Sequence, residues 1–230
     1  MTQAGGNGEK TTGAAGRRVR VWDLPTRLFH WLLVLLVAVS FVTGEIGGAW
    51  MQYHVWSGCA IFGLLAFRIM WGFWGGRYAR FSAFVRGPKA VLRYARAFWQ
   101  KGSERHLGHN PLGGWSVLAM LAALLVQAAT GLFSNDDIFT EGPLYPWVSK
   151  ATSDWLTTIH RLNQEILLVL VAVHVAAVLF YLIFKRDNLI GPMFTGCIRW
   201  QEPAESSGNR LGLAALVAGI SAALVYFLVR

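Results

Sequence analysis

The stretch WLTTIHRLNQEILLVLVAVHVAAVLFYLIF, residues 155–184, is the part of the chain that decides the fold. About 20 mostly apolar residues suffice to cross the hydrocarbon of a membrane, so this stretch predicts a transmembrane helix that tilts or projects beyond it. His160 and His174 lie 14 residues apart within it. On an α-helix that spacing places both side chains within about 40° of one face and about 21 Å apart along the axis. Ionisable groups inside an apolar helix are costly, which indicates that these histidines have a function.

Four other apolar stretches, residues 26–43, 53–74, 112–133 and 211–229, also predict transmembrane helices. The composition agrees, because only 14% of the 230 residues are charged, whereas a soluble domain carries about 25%. We therefore expect an all-α integral membrane helical bundle with a four-helix core and a fifth, C-terminal transmembrane helix. The fifth stretch has no histidine and is expected to be a lipid anchor or a packing helix.

The basic residues are distributed unevenly between the two ends of this predicted bundle. Seventeen Lys and Arg residues lie at one end of the bundle. They are in the segment up to the start of the first helix, in the connection between the second and third helices, and in the connection between the fourth and fifth helices. Only Lys150 and Arg230 lie at the opposite end. The positive-inside rule therefore predicts a cytoplasmic N-terminus and a C-terminus on the outside. The net charge of +9 does not indicate nucleic-acid binding, because it lies in loops between apolar runs.

The remaining segments divide the chain into three parts. Residues 1–20 are Gly-rich and polar and predict a disordered cytoplasmic tail, residues 21–200 form the predicted transmembrane domain, and residues 201–230 are a linker with the extra helix. Residues 86–105 contain KAVLRYARAFW, which predicts either an amphipathic helix on the inner leaflet or a solvated basic loop.

Four of the six histidines form two levels across the predicted bundle. His54 begins the second helix and His160 lies early in the fourth, and both of these helices start on the outside. His30 begins the first helix and His174 lies late in the fourth, so this pair is near the inside. Each pair can fill both axial positions of a haem iron and leave no site for oxygen or substrate, which suits electron transfer. Because the chain has no CxxCH motif, the haems would not be attached covalently.

Each histidine also has a purely structural explanation. His30 and His54 could belong to aromatic belts at the membrane interfaces. His160 could cap its helix, and His174 could bond a neighbouring helix. His109, in the basic loop at the inner level, is a rival ligand to His30, which we favour because it is enclosed in an apolar run. A haem-free transporter or scaffold would leave four histidines at two depths unexplained.

Two arginines support the haem interpretation. Arg68 lies 14 residues after His54, on a similar face but at the inner level. A buried arginine requires an anion, and a haem propionate would supply one. Arg161, beside His160, could serve the outer haem in the same way. The alternatives are that Arg161 pairs with Glu165 and that Arg68 extends to the inner surface.

Five motifs, taken in order, resemble bacterial b-type cytochromes of the cytochrome b561 family and the b-type cytochrome subunit of nickel–iron hydrogenases. The resemblance covers about residues 20–199. The motifs are VRVWDLPTRLFHW (19–31), YHVWSG (53–58), FRIMWGFWGGRYARF (67–81), GHNPLGGW (108–115) and IHRLNQEILLVLVAVHVAAVLFYLIFKRDN (159–188).

The resemblance implies a four-helix core in a bacterial inner (plasma) membrane, holding two haem b groups. It implies the ligands His30, His54, His160 and His174, the same four that the depth pattern selects. It also implies electron transfer between a membrane quinone such as ubiquinone and a periplasmic cytochrome c or other redox protein. The alternative is an anchor subunit of a larger oxidoreductase, such as a hydrogenase or formate dehydrogenase. The short outer connection 44–52 does not favour a large docking surface for such an enzyme.

A quinone site would need polar groups near the outer haem, because quinol oxidation releases protons. Asp154, Asn163, Gln164 and Glu165 are the candidates that the sequence offers at this level. Whether the chain has quinol oxidoreductase activity of its own is left open by the sequence.

Overall fold

Five long helices form the body of the structure, a computed structural model that describes residues 16–98 and 106–230. Each of the five is long and apolar enough to cross a membrane. Their outward surfaces are apolar, and on the longest helix Val169 and Val173 remain 62% and 59% exposed, as expected for contact with lipid. The prediction of an all-α membrane helical bundle is confirmed. The five helices are α1 (Leu24–Ile46), α2 (Met51–Trp74), α5 (Pro111–Gly131), α6 (Lys150–Ile183) and α8 (Leu211–Val229).

Shorter elements connect these helices. They are α3 (Phe81–Phe84), α4 (Pro88–Ala97), α7 (Ile190–Thr195), the 3₁₀ turns Gly48–Trp50, Arg77–Ala79 and Tyr145–Trp147, and the strands β1 (Arg17–Arg20) and β2 (Cys197–Trp200). The helix α4 lies within the basic stretch 86–105, where the sequence predicted either a helix or a loop.

The strands β1 and β2 form a two-stranded antiparallel ribbon, with Val19 opposite Ile198. The prediction of a disordered tail through residue 20 is therefore wrong for its last four residues. The physical reason is burial, because Val19 and Val21 are 1% and 2% exposed and pack in a cluster with Trp22. The rest of the predicted tail, residues 1–15, lies outside the described residues.

Three of the long helices begin at side-chain caps. The caps are Asp23, Asn110 and Ser149, each of which accepts a hydrogen bond from the backbone N–H three residues on, at 2.8, 2.7 and 3.2 Å. Such a cap satisfies one of the N–H groups that the first helical turn leaves unpaired. The cap at Ser149 starts α6 at Lys150, five residues before the sequence predicted, because apolar character alone does not reveal a polar first turn.

The long helices pack as two pairs. The helix α1 packs on α2, α5 packs on α6, and α2 joins the pairs by contacting α5. The fifth spanning helix, α8, also packs on α2, where Val217 is buried beside Phe67 and Trp71. The structure therefore favours the packing role for α8 over a simple lipid anchor. The helix α6 packs mainly on α5, so its flank towards α1 and α2 is left for other contacts.

The two ends of the bundle differ in charge. We use basic end for the end that carries the ribbon, the connection between α2 and α5, and the connection between α6 and α8. We use acidic end for the opposite end, which carries the connections between α1 and α2 and between α5 and α6. There, Lys150 contacts the carboxylates of Asp137 and Asp154, each at 2.5 Å.

Candidate functional site

At the acidic end, His54 of α2 and His160 of α6 face each other. Their ring centroids are 6.0 Å apart and their ring planes are inclined by 81°. A metal–imidazole bond is about 2 Å long and the ligating nitrogen lies about 1 Å from the ring centre, so two imidazoles on one metal have centroids about 6 Å apart. The separation therefore fits one metal ion held between the two rings.

Hydrogen bonds to backbone carbonyls orient both rings. The Nδ1 atom of His54 lies 2.8 Å from the carbonyl oxygen of Ser40 on α1, and Nδ1 of His160 lies 2.9 Å from the carbonyl oxygen of Gln127 on α5. A carbonyl oxygen can only accept, so each Nδ1 carries the proton and donates it. Each Nε2 is then the unprotonated nitrogen, which is the form that ligates a metal.

The two carbonyls belong to the same short pattern on two different helices. A threonine follows three residues after each, Thr43 after Ser40 and Thr130 after Gln127. Each threonine hydroxyl donates to the carbonyl four residues back at 2.7 Å. Each hydroxyl is also close to the carbonyl oxygen that accepts the histidine hydrogen bond, at 3.3 Å for Thr43 and 3.2 Å for Thr130. We call the segments 40–44 and 127–131 the Thr-Gly motifs.

The last residue of each Thr-Gly motif is a glycine that makes room for the ring. A Cβ atom at Gly44 would lie 2.8 Å from Nδ1 of His54, and one at Gly131 would lie 2.8 Å from Cε1 of His160. Real Cβ atoms do not approach that closely, so no other residue is tolerated there without displacing the ring. In contrast, a Cβ at Gly58 would meet nothing within 4 Å. Gly58 lies one turn after His54 on the same face, where a flat ligand needs open space.

At the basic end, three histidines gather. His30 of α1 and His174 of α6 are close enough to interact electrostatically, and His109 interacts with both of them. The structure thus brings together the predicted pair and also the rival that the sequence offered. No ring contact at the distance of the acidic pair occurs between His30 and His174 among the described residues.

His109 differs from the other two because its ring is packed between aromatic side chains. Its centroid is 4.8 Å from that of Trp22 and 4.8 Å from that of Phe84. Burial, followed by the nearby charge of Arg68, lowers the pKa of His109 to about 3. The imidazole is therefore neutral at pH 7, so it offers one N–H donor and adds no second positive charge beside Arg68.

Arg68 is buried beside this group. It is 4% exposed, its Nη2 donates to the carbonyl of Ala79 at 3.1 Å, and its guanidinium lies 5.1 Å from the ring centre of Phe81. Because it is enclosed in this way, the alternative in which Arg68 extends to the surface is wrong. Its Nη1 has no partner, although Asp23 is close enough to interact electrostatically.

The basic end holds an accumulation of buried polar atoms that lack a partner. Buried polar groups are almost always hydrogen-bonded, so such a group indicates a missing ligand or water. All of these atoms except the Asp23 carboxylate oxygen can donate a hydrogen bond, as an anionic ligand with several oxygen atoms would require. Within the described residues they are Asp23 Oδ2, Thr26 Oγ1, Arg27 Nε, His30 Nδ1, Arg68 Nη1, His109 Nδ1 and Ser207 Oγ.

The predicted acidic-end polar residues have different environments. Arg161 is exposed and forms no ion pair with Glu165 in the described part of the chain. Asn163 is buried and donates to Gln127 Oε1 at 2.7 Å, so it serves to hold α5 against α6. Gln164 donates to Glu45 Oε1 at 3.1 Å, across from α6 to α1. Asp154 forms an ion pair with Lys150 in the first turns of α6.

The histidine sets favour a macrocyclic metal complex over a bare ion. Within residues 16–98 and 106–230, no group of three or more His, Cys, Asp or Glu residues is placed to hold a metal ion. Two imidazoles alone would leave a metal incompletely ligated, so His54 and His160 would suit a metal that brings further ligands of its own, such as the iron of haem. Space beside Gly58 and unpartnered donors at the basic end fit the plane and the propionates of such a group.

Sequence reasoning missed the residues that orient the ligands. Ser40 and Gln127 act through backbone carbonyls, which any residue type supplies, so their identities carry no signal. The repeated Thr-Gly pair at residues 43–44 and 130–131 was the one available signal. Glu45 was also missed, because a carboxylate next to the last residue of a helix is ordinarily a solvated residue.

Comparisons with known proteins show the family to which the chain belongs. A family model described as prokaryotic cytochrome b561 matches residues 21–196. The chain is similar to a protein of Bradyrhizobium diazoefficiens (25% identical, covering 84% of this chain and 90% of the relative) and one of Azotobacter vinelandii (29%, 77% and 87%), each named probable Ni/Fe-hydrogenase B-type cytochrome subunit. A protein of Escherichia coli K12 named probable Ni/Fe-hydrogenase 1 B-type cytochrome subunit is 25% identical, covering 76% and 88%. No solved structure matches the chain.

The Thr-Gly motifs generate a first prediction. Gly44→Ala and Gly131→Ala each force a Cβ against a histidine ring, and overpacking of this kind costs about 1–3 kcal/mol of unfolding free energy. Gly219→Ala on α8 is the matched control, because a Cβ there meets nothing within 4 Å. Thermal unfolding in detergent checks the expected order. Equal stability of all three variants would show that the glycines are not needed for the rings.

Proposed function

Because the chain belongs to the prokaryotic cytochrome b561 family and is therefore a membrane cytochrome b electron carrier, we propose that it holds two haem b groups, one near each end of α6. The observation that carries this proposal is the 6.0 Å separation of His54 and His160. A haem with two histidine ligands supplies one-electron transfer and no open coordination position. Two such groups along α6 would form a path for electrons across the membrane.

At the acidic end, His54 and His160 are the proposed axial ligands. Their support is the hydrogen bond from each Nδ1 to a carbonyl, which leaves each Nε2 free to ligate a metal, and the 6.0 Å separation of the two rings. Hydrogen bonds of this kind fix the ring orientation and raise the basicity of the ligand. Arg161 interacts electrostatically with His160 and is exposed, so it is available to a propionate on this side.

At the basic end, His30 and His174 are the proposed ligands of the second haem. Arg68 is proposed to bind a propionate, with the N–H of His109 as a second donor. The support is that Arg68 Nη1 and His109 Nδ1 are both buried without a partner, and that both side chains lie close to the ring of Phe84. A paired guanidinium and carboxylate form a strong, charge-assisted contact.

The proposed extent of the haem-binding domain is residues 21–200, with residues 201–230 as a linker and an added helix. The family match to residues 21–196 and the packing of α8 on the outside of α2 support this division. We also propose a bacterial inner-membrane location with the basic end in the cytoplasm, because Lys and Arg concentrate at that end.

Haem content tests the proposed ligands. Purified wild-type protein is expected to contain about two haem b per chain in a pyridine haemochrome assay, since each pair of histidines ligates one iron. His54→Ala and His160→Ala are each expected to lose one haem, and redox titration should show that it is the same haem in both. His30→Ala and His174→Ala are expected to lose the other.

Two further variants separate ligands from neighbours. His106→Ala, in the loop before α5, serves as the control and is expected to keep both haems. His109→Ala is also expected to keep both, with a shifted midpoint potential for the basic-end haem. Loss of a haem in His109→Ala but not in His30→Ala would reverse the assignment of the ligand.

We further propose that a membrane quinone such as ubiquinone exchanges electrons at the acidic end, beside Glu45 and Gln164. The hydrogen bond between these side chains joins α1 and α6, and α6 otherwise packs mainly on α5. Glu45 follows Gly44, which abuts the ring of His54, and Gln164 lies one turn after His160. A quinone arriving from the bilayer would therefore meet a carboxylate and an amide next to the proposed haem.

The chemistry assigns a role to each of these groups. Oxidation of one quinol to quinone releases two electrons and two protons. The two electrons would leave one at a time to the haem that His54 and His160 are proposed to hold. Glu45 is proposed to accept the two quinol protons in turn and pass each to the solvent at the acidic end, which is near the end of α1. Gln164 is proposed to position the ring oxygen through its amide. The reverse step, in which quinone is reduced, uses the same two residues.

The redox partner has two candidates. One is a periplasmic cytochrome c or another small redox protein, which would dock at the acidic end. The other is a larger oxidoreductase, such as a hydrogenase or formate dehydrogenase, for which this chain would be the membrane subunit. The second is favoured by the names of the relatives in Bradyrhizobium diazoefficiens and Azotobacter vinelandii. The small redox protein is favoured by the short turn Gly48–Trp50 between α1 and α2, because this turn offers little surface on which a large enzyme could dock.

Reduction of the haem by quinol tests two proposals in one experiment: the quinone site at Glu45, and whether the chain accepts electrons without a partner enzyme. Proteoliposomes that contain only this chain are mixed with a quinol, and haem reduction is followed by absorbance. Glu45→Gln is expected to slow the reaction about tenfold or more, because proton acceptance by a positioned side chain is lost. Glu165→Gln is the control, since Glu165 has no hydrogen bond or ion pair within the described residues. If the Glu45→Gln and Glu165→Gln variants are reduced at equal rates, Glu45 is not the proton acceptor. If quinol does not reduce the haem unless another enzyme is added, the role as a subunit of a larger oxidoreductase is favoured.

A further inference from the structure

The short helix α4 lies at the basic end and is amphipathic. It packs on α5, and the backbone just before it is fixed to α5 by the indole N–H of Trp115, which donates to the carbonyl of Arg86 at 2.8 Å. Trp115 remains 47% exposed, as is usual for tryptophan at a membrane interface. The helix therefore lies at the level where lipid headgroups meet the protein.

The inner face of α4 is attached to the bundle by polar and aromatic contacts. The hydroxyl of Tyr94 lies 2.8 Å from that of Tyr181 on α6, which also accepts a hydrogen bond from Asn110 at 2.8 Å. Just after the helix, Phe98 stacks on Phe180, with ring centroids 5.4 Å apart. These contacts hold α4 in one rotation, so its opposite face is directed away from the bundle.

That opposite face carries three cations. Lys89, Arg93 and Arg96 are spaced by four and three residues, which places them on one face of the helix, and all three are exposed. None of them forms an ion pair with a carboxylate in the described part of the chain. Together with the exposed Leu92 they line a recess of about 480 Å³.

We propose that this face of α4 is a binding site for the phosphate headgroups of anionic phospholipids in the adjacent leaflet. Like charges at this spacing repel one another, and an anion removes the repulsion. Leu92, which is 52% exposed between the cations, would contact the first carbons of the acyl chain. A lipid is favoured over a soluble acidic protein because α4 lies at the headgroup level and combines cations with exposed aliphatic surface. The proposal is independent of haem binding.

Native mass spectrometry of the full chain in detergent tests this site. Phosphatidylglycerol and phosphatidylcholine are titrated separately onto wild type and onto the triple variant Lys89→Gln, Arg93→Gln, Arg96→Gln. Each cation near an anionic lipid surface contributes about fivefold to affinity, so the triple variant should bind phosphatidylglycerol on the order of 100-fold more weakly. Phosphatidylcholine binding should be unchanged. Thermal unfolding is measured in parallel to show that each variant is folded.

The matched control removes the same charge elsewhere at the basic end. Arg17→Gln, Arg18→Gln and Arg199→Gln alter the ribbon and should leave phosphatidylglycerol affinity within about threefold of wild type, because they spare α4. The conservative pair Arg93→Lys, Arg96→Lys should retain binding. Equal losses in the two triple variants would mean that net charge alone attracts the lipid, and equal affinity of wild type for both lipids would overturn the proposal. Displacement of the lipid by inorganic phosphate at equal concentration would instead indicate a site for the free anion.

Discussion

The hydrogen bond from a histidine Nδ1 to a backbone carbonyl on the neighbouring helix is the constraint on which the rest of the acidic end depends. It occurs twice, from His54 to Ser40 and from His160 to Gln127, at 2.8 and 2.9 Å. Each bond joins two helices of one pair, α1 with α2 and α5 with α6. Each also selects the tautomer in which Nε2 can ligate a metal. The glycine that ends each Thr-Gly motif follows from this bond, because the ring can reach the carbonyl only where no Cβ stands in its way.

The two ends of the bundle satisfy their polar groups in different ways. At the acidic end, the histidine nitrogens that face the protein are bonded to carbonyls. At the basic end, Arg68, His109 and His30 each retain a buried nitrogen with no protein partner. A polar atom left unpaired in this way costs about 1–3 kcal/mol, so several together would destabilise the fold unless a ligand satisfied them. The acidic-end pair thus forms within the protein alone, whereas the basic-end site depends more on its ligand. Among the described histidines, His54 and His160 are the pair whose rings lie in contact at metal-bridging distance.

Much of this arrangement could be predicted from hydropathy, charge and histidine spacing. The five spanning helices, the facing of His54 with His160 and the clustering of His30 with His174 all follow from helix length and depth. The strand at Arg17–Arg20 could not be predicted, because its burial depends on a partner strand almost 180 residues away. The carbonyl acceptors could not be predicted either, since a backbone group has no signature in the residue type that carries it. Glu45 becomes a candidate only through its hydrogen bond with Gln164 on another helix. A tertiary contact of this kind cannot be predicted from the local sequence around either residue.

Electron paramagnetic resonance of the oxidised protein tests the central claim most directly, because the signal of a low-spin ferric haem reports the angle between its two imidazole planes. The planes of His54 and His160 are inclined by 81°, close to perpendicular. The account predicts a highly anisotropic low-spin signal that is absent from His160→Ala, while the signal of the basic-end haem persists. A rhombic spectrum typical of parallel imidazoles, or a high-spin signal in the wild type, would contradict the proposed coordination at the acidic end.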